Sequence, residues 1–270
     1  MRRIIICADD YALAPGVSEA IRALIAARRI NATSVMTVFP GLPEEAGRLR
    51  IAAQGTGASI GLHVTLTAGF APLRAAPLGG TSFPSMGRLL VASLTGRVSR
   101  ESVRTEVEAQ FDAFEAAFGM APAHVDGHQH AHLLPVIRDV VLDTAARRAP
   151  RALVRDCTQA PGARIGFDAK GRFISLLASG LAGQARRRGL RVNSGFSGAY
   201  ALRTGGDFAA LFGRFAAGLG DGGMMMVHPG HVDGVLQSRD PVHAPREAEY
   251  RVLAGPDFGA LLAKAGVTLA

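Results

Sequence analysis

RIIICA (3–8) is an unbroken apolar run rich in β-branched residues, the pattern of a strand buried on both faces. GVSEAIRALIAARR (16–29) follows, with Val17, Ile21, Leu24 and Ile25 at helical spacing. TSVMTVF (33–39) and ASIGLHVTL (58–66) predict two more strands, with a helix running to about residue 53 between them. Residues 67–99, rich in Gly, Pro and Ser, read as a long excursion of the kind that forms a lid or a substrate wall. The segment 100–118 is a strong amphipathic helix, with Val103, Val107, Phe111, Phe114 and Phe118 on one stripe. AHVDG (123–127) is strand-like, and a helix runs from about Pro135 to Arg147. ALVRD, LRVNS and GMMMVHP are further strand candidates, separated by helical stretches near 171–188 and 206–219. PREAEYRVLAG and DFGALLAKAG close the chain as helices.

Strand and helix alternate about seven times with no break in composition. That predicts one α/β domain over residues 1–270, with the 67–99 segment as an insertion. Its strands are mainly parallel, in either a barrel, complete, distorted or incomplete, or an open sheet. Such folds collect their chemistry at the carboxyl ends of strands. Here ADD ends the first strand, GLH the third, HVDGH the fourth and VHPGH the last.

Composition sharpens the picture only in part. Hydrophobic residues make up 48% of the 270 and charged ones 19%, enough for a large core. The net charge of +8 comes mainly from arginine, in runs such as ARRAPRALVR (146–155) and QARRRGLR (184–191). These runs lack interleaved aromatics and the chain has no Trp, so no nucleic-acid partner is expected. Solvated helix faces explain them better, with an anionic membrane surface between the two. Two cysteines, Cys7 and Cys157, make no disulfide framework and fit a reducing compartment. The apolar run of MRRIIICADD ends at two aspartates, too early for a signal-peptide core or a membrane span. A cytoplasmic protein is expected.

HVDGHQHAH (124–132) packs four of the eight histidines and one aspartate into nine positions. In an extended segment His124, Asp126, His128, His130 and His132 share a face, whereas in a helix only His128 and His132 align. Asp9 and Asp10 directly follow an apolar strand, where two carboxylates need a cation, a role as base, or solvent. A helix cap is the plainer alternative, but the helix begins beyond Pro15 and Ser18 is the nearer cap. His63 alone reads as a core histidine, and His228 of MMMVHPGH as a loop histidine bonded to backbone. Together the strand ends suggest a carboxylate plus two imidazoles around a catalytic divalent metal: Asp10, His63 and one of His128, His130 and His132. Imidazole donors suit Zn, Co or Ni better than oxygen-seeking Mg, which leaves the metal open.

ADDYALAPG, GLHVTLT, HVDGHQHAH and VHPG, in that order over nearly the whole chain, resemble the YdjC-like carbohydrate deacetylases. That family includes chitooligosaccharide and hopanoid-associated deacetylases. Where its usual motif reads ADDFG, this chain has Tyr11 and Ala12, which alters the turn but not the ligands. The resemblance implies a (β/α) barrel-like fold, one divalent metal (Mg or Zn, with Co an option) and removal of an N-acetyl group from an amino sugar, oligosaccharide or glycolipid. It implies Asp10, His63 and His128 as metal ligands, Asp9 as base and His228 as acid or oxyanion partner. Asp126 is then an orienting partner for an imidazole or a plain structural acceptor. His130 and His132 line the same rim, His132 as a further ligand or a substrate contact. Phe196 and Ser197 of GFSGAY (195–200) fall on the substrate side. A two-metal phosphoesterase and a basic surface-binding protein with a structural metal site are the competing readings. Oligomeric state is open, a homo-oligomer included.

Overall fold

The strand predicted over RIIICA is longer and central. In the computed structural model, which describes residues 1–160, 169–202 and 206–270, β1 spans Arg2–Tyr11. It is followed by β2 (Ala32–Val35), β3 (Ser59–Val64), β4 (His124–Gly127), β5 (Leu153–Val154), β6 (Arg191–Val192), β7 (Phe196–Ser197), β8 (Met224–Val227) and β9 (Val267–Leu269). They form one sheet in the order β6-β5-β4-β3-β2-β1-β8-β7, all pairs parallel, with β9 on the first residues of β1. A parallel bridge from Gln159 to Phe196 carries the chain beyond β5 onto β7. The sheet therefore curls toward a barrel that remains open at β6, one of the forms the sequence allows.

Helices make the crossovers: α1 (Pro15–Ala26), α2 (Leu42–Ala53), α3 (Met86–Leu94), α4 (Arg100–Phe118), α5 (Ile137–Arg148), α6 (Ala169–Ala178), α7 (Leu181–Arg187), α8 (Phe208–Gly218), α9 (Gly234–Arg239), α10 (Ala244–Ala254) and α11 (Phe258–Ala265). The helix α4 shows the local rules. Ser99 Oγ accepts from the Ser102 amide at its start, and Gly119 closes it in the left-handed region at φ 69°. Its predicted stripe, from Val103 to Phe118, is buried.

The structure adds detail and changes one expectation. The excursion 67–99 contains the helix α3. The excursion is held by α4: the buried Glu106 carboxylate accepts from the main-chain amides of Leu73, Arg74 and Ala75 at 3.1, 2.7 and 3.0 Å. Ser18 caps nothing, because α1 begins at Pro15, and its Oγ instead accepts from the Ala12 amide at 3.0 Å. The short strands β7 and β9 were not predicted. Among the described residues, no helix is long and apolar enough to cross a membrane.

Candidate active site

A regular strand sends neighbouring side chains to opposite faces, which would separate Asp9 from Asp10. Here β1 is irregular. Ala8 registers with Thr33 and Tyr11 with Val35, so β1 spends one residue more than β2 over that stretch. Asp10 takes the left-handed region, φ 68°. With that bulge both carboxylates meet partners inside the barrel, and both are buried.

Asp10 Oδ1 lies 2.9 Å from His128 Nδ1 and 3.3 Å from His63 Nε2. Ligands about 2.1 Å from a tetrahedral cation sit roughly 3.4 Å apart, so these three atoms suit a single divalent ion. His63 ends β3 and pairs in register with Asp126 of β4. This brings His63 Nδ1 to 2.6 Å from Asp126 Oδ1, the hydrogen bond that turns Nε2 toward Asp10. Asp126 thus touches the imidazole of His63, not that of His128. Burial opposes the His63 imidazolium, but Asp126 and then Asp9 outweigh it and push this group up to about 10.

Two buried arginines complete the centre. Arg155, at the end of the β5 segment, meets Asp9 through Nη1 to Oδ2 and Nη2 to Oδ1, both 2.6 Å, and its Nη2 also lies 2.6 Å from Asp126 Oδ2. Arg246 of α10 donates from Nη2 to Asp10 Oδ2 at 2.6 Å. This leaves Oδ1 as the free ligand oxygen of Asp10. Burial resists ionisation of Asp10, yet Arg246 and then His128 hold its carboxyl well below the usual carboxylate range. Arg246 Nη2 is shared with Asp240 at 2.9 Å, so Asp9, Asp10, Asp126 and Asp240 against Arg155 and Arg246 leave two negative charges over, a balance that suits a divalent ion.

Two other groupings have ligand-like spacing and fit a metal less well. Asp9, His63 and Asp126 have both carboxylates gripped by Arg155. Cys7, His124 and Asp126 form a hydrogen-bonded interior cluster with Ser34. There burial pushes the Cys7 thiol up and His124 down to about 4, so both stay neutral.

Residues 3–264 match the family described as YdjC-like protein. The chain belongs to the YdjC-like family. A carbohydrate deacetylase of Homo sapiens is 28% identical over 292 aligned positions, covering 99% of this chain and 89% of its own length. A chitooligosaccharide deacetylase of Serratia marcescens is 28% identical over 275 positions, covering 98% and 96%. A crystal structure from Enterococcus faecalis V583, of a protein proposed to cleave cellobiose phosphate, superposes with a TM-score of 0.78 at 21% identity, over 100% of this chain and 97% of that one. That likeness shows the fold.

In this YdjC-like chain the histidine segment does not form one extended face. The strand ends at Gly127, and residues 128–133 turn as a 3-10 helix with Gln129 and His130 at φ 52° and 62°. That turn delivers His128 to Asp10. His130 sits beside Cys157 and edge-on to Phe196. His132 is buried and donates from Nε2 to the Arg155 carbonyl at 3.0 Å. Phe196 and Ser197 are both buried, Phe196 with its ring 5.9 Å from the Arg155 guanidinium. His228 stands one residue past the registered pair Ala8–Val227, next to Asp9 along the sheet edge.

Sequence reasoning missed both arginines. Arg155 lies in ALVRD at a strand end, where the rule that found Asp10 and His63 applies equally. Arg246 lies on a helix and carries no such signal. An aromatic corner was also missed: Phe70 of the excursion lies 6.1 Å from His128 and 5.0 Å from Phe39, ring centre to ring centre.

Proposed function

We propose that this protein is a metal-dependent hydrolase that removes the N-acetyl group from an amino sugar, as a free oligosaccharide or a glycolipid headgroup. The observation that carries the reading is the convergence of Asp10 Oδ1, His63 Nε2 and His128 Nδ1 from three strand ends, with Asp9 beside them. The names of the human and Serratia relatives support the same chemistry.

Asp10, His63 and His128 would hold a divalent ion, which would supply Lewis-acid polarisation of the amide carbonyl and lower the pKa of water. Asp9 then accepts the proton of the attacking water; the Arg155 fork fixes its plane while each oxygen keeps a further lone pair. His228 donates to the departing amine or to the oxyanion. Asp126 keeps His63 in the right tautomer and orientation. The half-buried Phe39–Phe70 corner next to His128 offers an apolar wall for the carbon face of a sugar ring. We take the whole chain as one catalytic unit. The free, buried thiols of Cys7 and Cys157 favour the cytoplasm as its location.

A two-metal phosphoesterase is the weaker reading. A second ion on Asp9 and Asp126 would have to displace Arg155, which bonds both at 2.6 Å. A purely structural site would be closed by four protein ligands, and among the described residues this one offers three. The test is to load the protein with zinc, cobalt or magnesium, count the ions bound per chain, and measure acetate released from a panel of N-acetyl sugars and glycolipids. One ion per chain with acetate release is expected. Two ions per chain, or no acetate from any member of the panel, would overturn the proposal.

A further inference from the structure

Glu249 is fully buried in the middle of α10 and takes no direct part in the chemistry proposed above. Its Oε1 accepts from the Tyr200 hydroxyl at 2.6 Å, and its Oε2 accepts from the main-chain amide of His228. Among the described residues no guanidinium, ammonium or imidazole forms an ion pair with it. A carboxylate without a paired cation is a costly occupant of a helix core, where an apolar side chain would pack more cheaply. What it gains is geometry. Tyr200 follows β7 and His228 follows β8, so one side chain ties together the segments leaving two adjacent strands. Arg246, one helical turn earlier, holds Asp10 at the end of the next strand, β1. A single face of α10 therefore fixes the ends of β7, β8 and β1.

We infer that Glu249 is a positioning residue: through the His228 amide it sets where the His228 imidazole stands relative to the Asp10–His63–His128 centre, and through Tyr200 it fixes the neighbouring wall. The role in turnover rests on the deacetylase reading; the tether itself does not.

The experiment separates the two. Amide exchange at His228 is measured by NMR in the full-length parent, Glu249→Gln and Glu249→Ala. Kinetics with an N-acetyl sugar and binding of zinc alone are measured in parallel, including Glu249→Ala in a His228→Ala background. The expected result is strong protection of the His228 amide in the parent, retention in Glu249→Gln, whose amide oxygen still accepts, and loss in Glu249→Ala. Misplacing a catalytic group by about an ångström costs roughly 100-fold, so Glu249→Ala should lower kcat about 10- to 100-fold with KM changed less than about threefold. Zinc affinity should stay as in the parent, Glu249→Gln should recover most of kcat, and Glu249→Ala should add nothing once His228 is alanine. Equal His228 protection in the parent and Glu249→Ala would disprove the tether whatever the activity. A protected parent amide with an unchanged kcat in Glu249→Ala, or effects that simply add to His228→Ala, would overturn the positioning role. A parent inactive on every sugar would remove the deacetylase reading and the role in turnover, while exchange would still decide the tether.

Discussion

Arg155 grips Asp9 with two parallel bonds of 2.6 Å, and with the same Nη2 it reaches Asp126 at 2.6 Å. One guanidinium thus fixes both the carboxylate proposed as base and the carboxylate that orients His63. Because all three groups are buried, deleting the cation leaves two charges without their partner. Arg155→Met should therefore destabilise the fold by about 3–5 kcal/mol in urea denaturation. Arg155→Lys keeps the charge but loses the fork, and should stay folded while turnover falls. A fully active, fully stable Arg155→Met protein would remove this arginine from the account.

Asp10 and Asp9 are adjacent in the chain yet separable in effect. Asp10→Ala, His63→Ala and His128→Ala should each abolish binding of the ion, read by metal content after dialysis, while circular dichroism stays native. Asp9→Asn keeps the ligand set intact and should bind the ion but lose at least about 100-fold in kcat, the scale of general-base catalysis. A rate within a few-fold of the parent would show that some other group takes the proton.

Ala12 lies in the left-handed region, φ 72°, which a side chain strains and glycine adopts freely. A Cβ there costs about 1–2 kcal/mol, part of which glycine gives back as extra freedom of the unfolded chain. Ala12→Gly should raise stability by up to about 1 kcal/mol, read as a small rise in Tm with unchanged kinetics. A fall in Tm would mean that the strain is relieved in some way not seen here.

Glu106 serves the excursion as Glu249 serves the strand ends. Three amides, of Leu73, Arg74 and Ala75, converge on its carboxylate, and Gln110 one turn on bonds both the amide and the carbonyl of Thr65. Glu106→Ala should cost about 2 kcal/mol and free residues 73–75, seen as faster hydrogen exchange there. Since Phe70 belongs to the same excursion, KM for a sugar substrate should rise more than kcat falls.

Legibility in the sequence followed the strength of local periodicity. The β1 run, the GLH strand and the five-residue stripe of α4 each carry a pattern long enough to read, and they frame the site. The strands β5 and β6 are as short as β7 but lie in apolar stretches, ALVRD and LRVNS, whereas β7 sits between glycines in GFSG and β9 is three residues at the end of a helical pattern. Asp10, His63 and His128 were legible as candidates because each stands at the end of an apolar strand pattern. Which histidine of 124–132 meets Asp10 was settled by a left-handed turn at Gln129 and His130 that spacing alone does not show. Arg155 and Arg246 were hidden for another reason: their meaning lies in partners 146 and 236 residues away, and in composition they looked like surface charge.

Glu249 also makes a pH signature. Burial is the main cause that pushes its carboxyl up, to about 7 from an ordinary 4.5; the ionised Asp9 adds to this, and the Tyr200 and His228 bonds and Arg246 work against it. The folded state thus holds this proton more tightly than the unfolded chain does. Its contribution to stability is fully present below about pH 4.5 and is lost as pH rises through about 7. A shift of that size corresponds to about 3 kcal/mol. Glu249→Gln cannot ionise, so its stability relative to the parent should improve by up to that amount between about pH 5 and about pH 8. Urea denaturation of both proteins at the two pH values measures this directly. A gap that stays constant, or moves the other way, would show that the carboxyl is already ionised in the folded protein at low pH, held by its two donors and Arg246 more strongly than burial opposes it.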